Sequence, residues 1–403
     1  MPVLAGPAGA HTSRRSAVGA QPVLREHSAP GRHSVSDFSS HVFGYLQRVD
    51  QRRWADTYLR GLLSTPGRKT VRHMARTLAL PASAPQALQQ FVTASPWNWE
   101  TAQRELARLA VSALSSPAWT IGTVLLEKRG RHSVGVRQHT DLPSGRRVNC
   151  QIGIGLFLTD DRSSLPVSWR LLMDDAWCGD LERRRRARIP DRLTPLPARA
   201  LALDMVTQVA GRGVPGSLPL VFGLDAAWDV THLALQLAFQ RRAFVIEVPA
   251  SQPVIPVSHP DAPAPVVARP VTAEEGARTA RSRYRAAGDR PLSMPVRLAS
   301  RPGAPAGRQV LQLIAEPSKT EAGFHRYWVT SMRGVGAEQV RSLARRSVTT
   351  DATLRHMKDD LGLLDFEGRS FPGWHHHMTL ASAAFHFRHL DRLPAPVMEV
   401  RSA

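Results

Sequence analysis

Cysteine is scarce. Cys150 and Cys178 are the only two in 403 residues, too few for a disulfide framework, and no C-x-x-C pair offers a zinc site. A reducing cytosol is the expected setting. No stretch approaches the ~18 consecutive apolar residues that a membrane span requires, and the first thirty residues lack the apolar core of a signal peptide. Neither a bilayer span nor secretion is expected. Acid is in short supply too: 33 Asp and Glu face 53 Lys and Arg, a formal net charge of +20. What is present is 42% hydrophobic residues, enough for the core of one large domain or two to three smaller ones. A field of this sign concentrates polyanions, and cations that bind phosphate release counterions, so nucleic acid is the first expected partner and anionic lipid the second. Nearly all the cations are arginine, whose planar fork grips phosphate. A GC-rich genome would account for the preference of Arg over Lys, but not for the net charge.

Residues 1–34 are rich in Gly, Ala, Pro, Ser and Arg without apolar period and read as a flexible basic arm. Helical spacing begins with Phe38, Val42, Tyr45 and Val49 and continues through Trp54, Tyr58, Leu59, Leu62 and Leu63. Pro66-Gly67 ends that pair; Val71, Met74, Ala75 and Leu78 start a third helix, and Leu88, Phe91 and Val92 a fourth. Residues 35–116 therefore read as a helical domain. After Pro117 the pattern predicts strands at Trp119–Leu126, Ser133–Gln138 and Cys150–Leu158. Then come a loop with Trp169 and Trp177, the arginine run 183–186, a helix near 198–210, strands at 218–224 and 243–248, and between them a helix through Leu233 and Leu237. The proline-rich stretch 249–308, with Arg278, Arg281, Arg283 and Arg285, reads as an inserted, partly irregular subdomain. Strands at 310–315 and 327–331 and helices near 336–346, 351–361 and 374–389 complete a segment 309–392, before a tail 393–403.

A carboxylate at the end of a buried strand, as Asp225 is placed, stands where α/β folds gather ligands, although one such Asp is as readily a helix N-cap. Asp351, on a distant helix, could share Mg²⁺ with it at a phosphodiester. Several stretches, in order, resemble bacterial insertion-sequence transposases of family 701, which is related to the family 4 group. These are Trp119-Thr120-Ile121, Gly130-Arg131-His132-Ser133-Val134-Gly135-Val136, Asn149-Cys150-Gln151-Ile152-Gly153 and Leu165-Pro166-Val167-Ser168-Trp169-Arg170-Leu171. The tail Leu361-Gly362-Leu363-Leu364-Asp365-Phe366-Glu367-Gly368-Arg369-Ser370, followed by Gly373-Trp374-His375-His376-His377, resembles the same family. The likeness runs from about residue 45 to 390.

That resemblance implies an α/β fold: an RNase H-like core, a mixed sheet with flanking helices, interrupted by an inserted subdomain and preceded by an all-helical N-terminal domain. The core would comprise 117–248 and 309–392, with 249–308 inserted. It also implies a DDE triad for Mg-dependent strand cleavage and strand transfer at insertion-sequence ends. Asp225-Ala226-Ala227-Trp228-Asp229 is similar to the second-Asp motif, which makes Asp225 a metal ligand. The first acid is missing, because Gly122 and Thr123 stand where the family carries Asp-Asp. Asp351 stands where it carries Glu. Removal of a bridging anion leaves two dications under-neutralised, so cleavage is expected to be impaired. Glu127 is a poor substitute, since an odd offset from Gly122 turns it to the other face of the strand; Asp141, Asp160 and Asp161 read as solvated loop acids. Lys358 and Arg355 are expected on the DNA backbone. Arg52, Arg53, Arg68, Lys69, Arg72 and Arg76 give the N-terminal helices a basic face for terminal-repeat DNA, or simply a solvated one. Arg183 to Arg186 read equally as a phosphate clamp and as a solvated loop. Adjacent histidines on a helix cannot all ligate one ion, so His375 to His377 read as scaffold. The expected partner is double-stranded DNA, both element ends and target, with a homodimer on DNA at the bacterial nucleoid as part of the same expectation. The competing expectations are an active transposase with a substitute carboxylate, a non-enzymatic domesticated regulator, and an unstable relic.

Overall fold

The computed structural model describes residues 34–140, 145–210, 214–225, 228–257, 269–283, 290–299, 309–320 and 323–390. The expected arm, the expected tail, Asp141 and Arg285 lie outside them. No helix of the described residues is long and apolar enough to cross a membrane.

Five helices come first: α1 (Val35–Phe43), α2 (Val49–Ser64), α3 (Val71–Thr77), α4 (Ala84–Thr93) and α5 (Trp99–Ala113). Their starts follow from capping chemistry. Ser34, Thr70 and Asn98 each accept an orphan backbone N–H of the first turn. Then come β1 (Ala118–Glu127), β2 (Arg137–Thr140), β3 (Arg147–Thr159) and β4 (Ser164–Leu171), followed by α6 (Asp175–Cys178), α7 (Leu181–Ala187) and α8 (Ala198–Ala210). The chain continues through β5 (Leu220–Phe222), α9 (Val230–Phe239), β6 (Phe244–Val248), β7 (Pro253–Pro256), β8 (Val271–Thr272), α10 (Ala273–Arg283), β9 (Leu292–Leu298), β10 (Leu311–Pro317) and β11 (Phe324–Thr330). It ends in α11 (Ala337–Ala344), α12 (Arg346–Asp360) and α13 (Phe371–Leu390).

All the described strands belong to one sheet. Its first part runs β4, β3, β1, β5, β6: β3 is antiparallel to both β4 and β1, while β5 and β6 lie parallel to β1. Three antiparallel strands followed by two parallel ones reached through helices is the RNase H-like arrangement, in a mixed α/β fold preceded by helices. Beyond β6 the sheet continues antiparallel through β11, β10, β9 and β7 to β8. The proline-rich stretch thus contributes strands and a helix to the same sheet, and the strands on either side of residues 300–308 pair with each other.

Trp169 belongs to β4, where a loop was expected. The strand is buried on both faces, so the alternation that marks a half-buried strand is missing. Its proline sits at the shift in register opposite Leu156 and Phe157, where a missing N–H is tolerated. Of the strand expected at 133–138 only its end is found, as β2, and the one at 218–224 shortens to three residues.

Helix α13 organises the interior. It is buried nearly all round and packs on α2, α4, α5 and β4. One apolar cluster joins Leu59, Leu62, Leu88 and Leu106 of the leading helices to Trp374, Met378 and Leu380 of α13 and to Trp169 of β4. Four of the five histidines of α13 are held by backbone carbonyls. His375 meets Phe371 O and His377 meets Gly362 O, each at 3.0 Å; His386 meets Pro166 O at 2.9 Å. His376 meets both Val92 O, at 2.8 Å, and Trp97 O, at 2.9 Å, while stacked 3.9 Å from the Trp97 ring. Three adjacent side chains thus diverge to four different carbonyls, as scaffold.

The arginine run forms α7 where a loop or a phosphate clamp was expected. Arg184 is buried and donates to Cys178 O at 2.7 Å, to Leu193 O at 3.1 Å and to Pro190 O. Arg183 pairs with Asp180 and Arg186 with Glu182. Arg184→Ala strands three carbonyls and is expected to cost about 2–4 kcal/mol in denaturant unfolding, against roughly 0.5 kcal/mol or less for the exposed Arg185→Ala.

Candidate active site

Gly122 lies in the middle of β1, opposite Gly155 of β3 and one step beyond the Ile121–Phe222 pairing with β5. Its two faces differ. Trp119 and Ile121 look into the core cluster under α8 and α9, while Val124 and Leu126 look into the cluster that includes Leu354, Met357 and α13. Gly122 shares the second face. A Cβ built on it would lie 2.6 Å from Leu354 Cδ1 and 3.3 Å from Thr350 Cγ2. At Gly122, one of the two positions where the first acid was expected, the space for a side chain is therefore filled by α12. The same helix is fastened below by buried hydroxyls: Thr350 is hydrogen-bonded to Thr120 at 2.6 Å and to Ser164 at 2.9 Å, and Ser347 lies against Gly223.

Thr123, next in the strand, faces the other way and is half-buried. Its hydroxyl donates to Asp225 Oδ2. Asp225 follows β5 at the strand's C-terminal end and its backbone carbonyl accepts from Trp228 N at 3.1 Å. Trp228 packs edge-on against Phe222 within the core, which closes the strand-to-helix turn, and Asp229 caps α9 through His232 N.

Asp351 projects from α12 with much of its surface open. Partial desolvation raises its carboxyl above the usual range; Glu247 adds to this, while Arg355, Lys358 and Arg326 oppose it. Sequence reasoning overlooked Glu247. It sits on β6 in an otherwise apolar strand, and its two oxygens take Arg326 Nε at 2.8 Å and Nη2 at 2.7 Å, which lifts the guanidinium pKa further. A lone acid in a buried strand was the available signal.

The structure therefore gathers Asp351, Arg355, Lys358, Glu247 and Arg326 into one charged region and ties Asp225 to Thr123. Among the described residues no three His, Cys, Asp or Glu side chains converge as a metal site would require. With Gly122 covered and Glu247 held by Arg326, the side chains present do not fit a pair of divalent cations. Glu127 is exposed and 3.8 Å from Arg146, and Asp161 pairs with Arg346 at 3.2 Å.

The expected basic face divides. Arg53 is exposed over Trp54, and Arg72 and Arg76 line a groove of about 940 Å³ between α3 and α4. Lys69 does not join them. It is buried, its ammonium donates to Thr65 O and its N–H to Asp365 Oδ2 at 2.7 Å, and burial lowers its pKa. Arg52 is half-buried and donates to the carbonyls of Leu46 and Gln47 at the turn into α2. Arg68 is paired with Glu367 at 3.0 Å. The Leu361–Ser370 stretch is thus a clasp on the α2–α3 turn, and Gly362, at φ +63°, admits Lys69 where any Cβ would collide.

The profile of the DDE superfamily endonucleases matches residues 41–306, which contain Gly122, Thr123 and Asp225 and end before α12. Among solved structures, the cryo-EM structure of the piggyBac transposase synaptic complex with hairpin DNA is similar, with a TM-score of 0.43 and 10% identity over 91% of this chain and 69% of that one. No curated protein matches in sequence. Because the profile spans about two thirds of the chain, including the helices and the first strands around the site, the chain belongs to the DDE superfamily endonucleases.

Proposed function

We propose that this chain is a transposase-like DNA-binding protein, of the family 701 kind, whose strand-cleavage centre is incomplete. The observation that carries this reading is a hydroxyl, Thr123, beside Asp225 at one of the two expected first-acid positions, with Leu354 in the space over the other, Gly122. Loss of one carboxylate by substitution alone would leave a gap that a neighbour could enter; here the helix has closed onto the strand. Asp225 is retained, and Asp351 is the acid of α12, one methylene shorter than Glu. Members of the superfamily work with divalent metal ions, and in the parent reaction such ions, Mg²⁺ in this reading, would activate water at a phosphodiester; these side chains do not seat a pair.

DNA binding rests on the net charge of +20, on the exposed cations Arg53, Arg72 and Arg76 at the leading helices and Arg355 on α12, and on the half-buried Lys358 of the same helix. Two copies on DNA at a bacterial nucleoid belong to the same reading. The expected result is duplex affinity that falls linearly in log–log form with salt, at about −0.9 per phosphate neutralised. No nicking is expected, in Mg²⁺ or Mn²⁺, of a supercoiled plasmid carrying the DNA that flanks its own gene. Nicking that disappears in Asp225→Ala would establish a working centre instead.

A further inference from the structure

Where β10 turns into β11 the surface sinks into a depression of about 390 Å³, lined by Lys319, His325, Arg326, Arg341 and Arg345 around one carboxylate, Glu316. The Glu316 side chain is only 8% exposed. One of its oxygens takes Arg341 Nη1 at 3.3 Å and Arg345 Nη2 at 3.1 Å, and the other lies 3.7 Å from His325 Nε2. A single carboxylate fixes the position of several cations but neutralises only one. Arg326 is matched by Glu247 and Arg341 by Glu338, at 2.6 Å. That leaves Glu316 facing Arg345 and Lys319 together.

Arg345 is 55% exposed, and Glu316 takes a single one of its five N–H donors in the bonds above. Lys319 is exposed, with no ion pair among the described residues. A guanidinium already oriented by a buried acid, beside the exposed Lys319 ammonium in a concave site, is preorganised for a small oxyanion. The depression also adjoins the α12 acid: Arg326 lines it and is one of the charges acting on Asp351.

We propose that this depression holds a backbone phosphodiester of DNA lying across the Asp351 face, gripped by Arg345 and Lys319. The proposal rests on the DNA-binding reading above, and shares its chemistry with a site for free phosphate. The test uses the full chain. A fluorescent duplex is titrated at several salt concentrations with wild type, with the double variant Lys319→Ala/Arg345→Ala, and with Arg108→Gln, which removes an exposed, Glu105-paired cation of α5 elsewhere. Melting curves with inorganic phosphate, against chloride at equal ionic strength, are run alongside and also check folding.

The double variant is expected to bind about 10-fold more weakly near 0.1 M salt with a salt slope shallower by about one, while Arg108→Gln stays within about twofold of wild type. A double variant that matches Arg108→Gln in affinity and slope would overturn the site and leave the DNA reading intact. Wild type with no duplex affinity would overturn the DNA reading itself. In that case a phosphate-specific rise in melting temperature, lost in the double variant, would reassign the depression to free phosphate and likewise overturn the backbone proposal.

Discussion

Acidification from pH 7 to about 4.5 is expected to unfold the chain, with a steepness set by four buried histidines. His376, His377 and His386 are held near pKa 4 and His375 near 3, against an ordinary 6.5, in each case first because burial penalises the charged ring. Carbonyl acceptors pull the other way; two of them face His376, so its cation would be better bonded than its neutral ring, and burial still dominates. The folded pKa lies below the unfolded one, so in the window between them the unfolded chain binds more protons. Stability from these groups is complete above about pH 7 and is lost as pH falls through 6.5 toward 4. Each group contributes roughly 1.4 kcal/mol per pH unit inside the window. Four together, on the order of 5 kcal/mol per unit, exhaust a typical stability of about 5–15 kcal/mol within two or three units. Urea midpoints measured from pH 8 to 4.5 should be flat above 7 and fall steeply below 6. A midpoint unchanged between pH 7 and 5 would refute the account. His386→Gln removes one titrating ring, with an Nδ1 that has no partner, and should make the acid slope shallower by about a quarter.

These histidines also show what the sequence disclosed. Adjacent rings pointing apart around a helix could be read as scaffold without coordinates, because the 100° step between neighbours decides it. The leading helices were legible through spacing: the apolar pattern through Leu62 matches a face that is in fact buried, whereas α5 and the capping side chains Ser34, Thr70 and Asn98 were not singled out. Strands β1, β3 and β6 were visible as apolar runs, and the RNase H-like order was expected from the motifs rather than from periodicity. β4 was hidden because burial on both faces erases alternation. Lys69 was misjudged as part of the basic face because a charged residue in a turn is ordinarily solvated. Only the packing of Gly362 and the Asp365 carboxylate explains why it is inside. In the site, Asp225 and Asp351 could be picked out as residues, but the hydroxyl that holds one, and the Glu247–Arg326 pair beside the other, depend on contacts across 102 and 79 positions of sequence. No local pattern carries that information.

Return of the missing acid through Gly122→Asp is expected to cost about 2–4 kcal/mol and to yield no cleavage by itself. Two costs combine. The new Cβ lies 2.6 Å from Leu354 Cδ1, and although the leucine can turn its methyl aside, it is 4% exposed and packed, so rearrangement strains its neighbours. The carboxylate beyond that Cβ would also be desolvated among Leu354, Thr350 and Phe157 with no cation opposite it. Leu354→Ala alone should lose about 2–4 kcal/mol by opening a cavity. If helix packing is the obstacle, the double variant Gly122→Asp/Leu354→Ala will be more stable than the sum of the single changes predicts, by about 1 kcal/mol or more, because the acid then occupies the vacated volume and gains access to water. Denaturant unfolding of the four proteins measures that coupling directly. Mn²⁺ added to Thr123→Asp, which puts an acid beside Asp225, with Asp351→Glu as a further change, tests whether the assembled acids hold a cation: a metal-dependent rise in melting temperature should appear there and be absent from the wild type. Strict additivity would mean that Leu354 and the lost acid are unrelated. Gly122→Asp that folds without penalty and nicks DNA would mean that the centre lacked one side chain and nothing else, and would overturn the proposal that the packing of α12 over Gly122 keeps the chain from cutting.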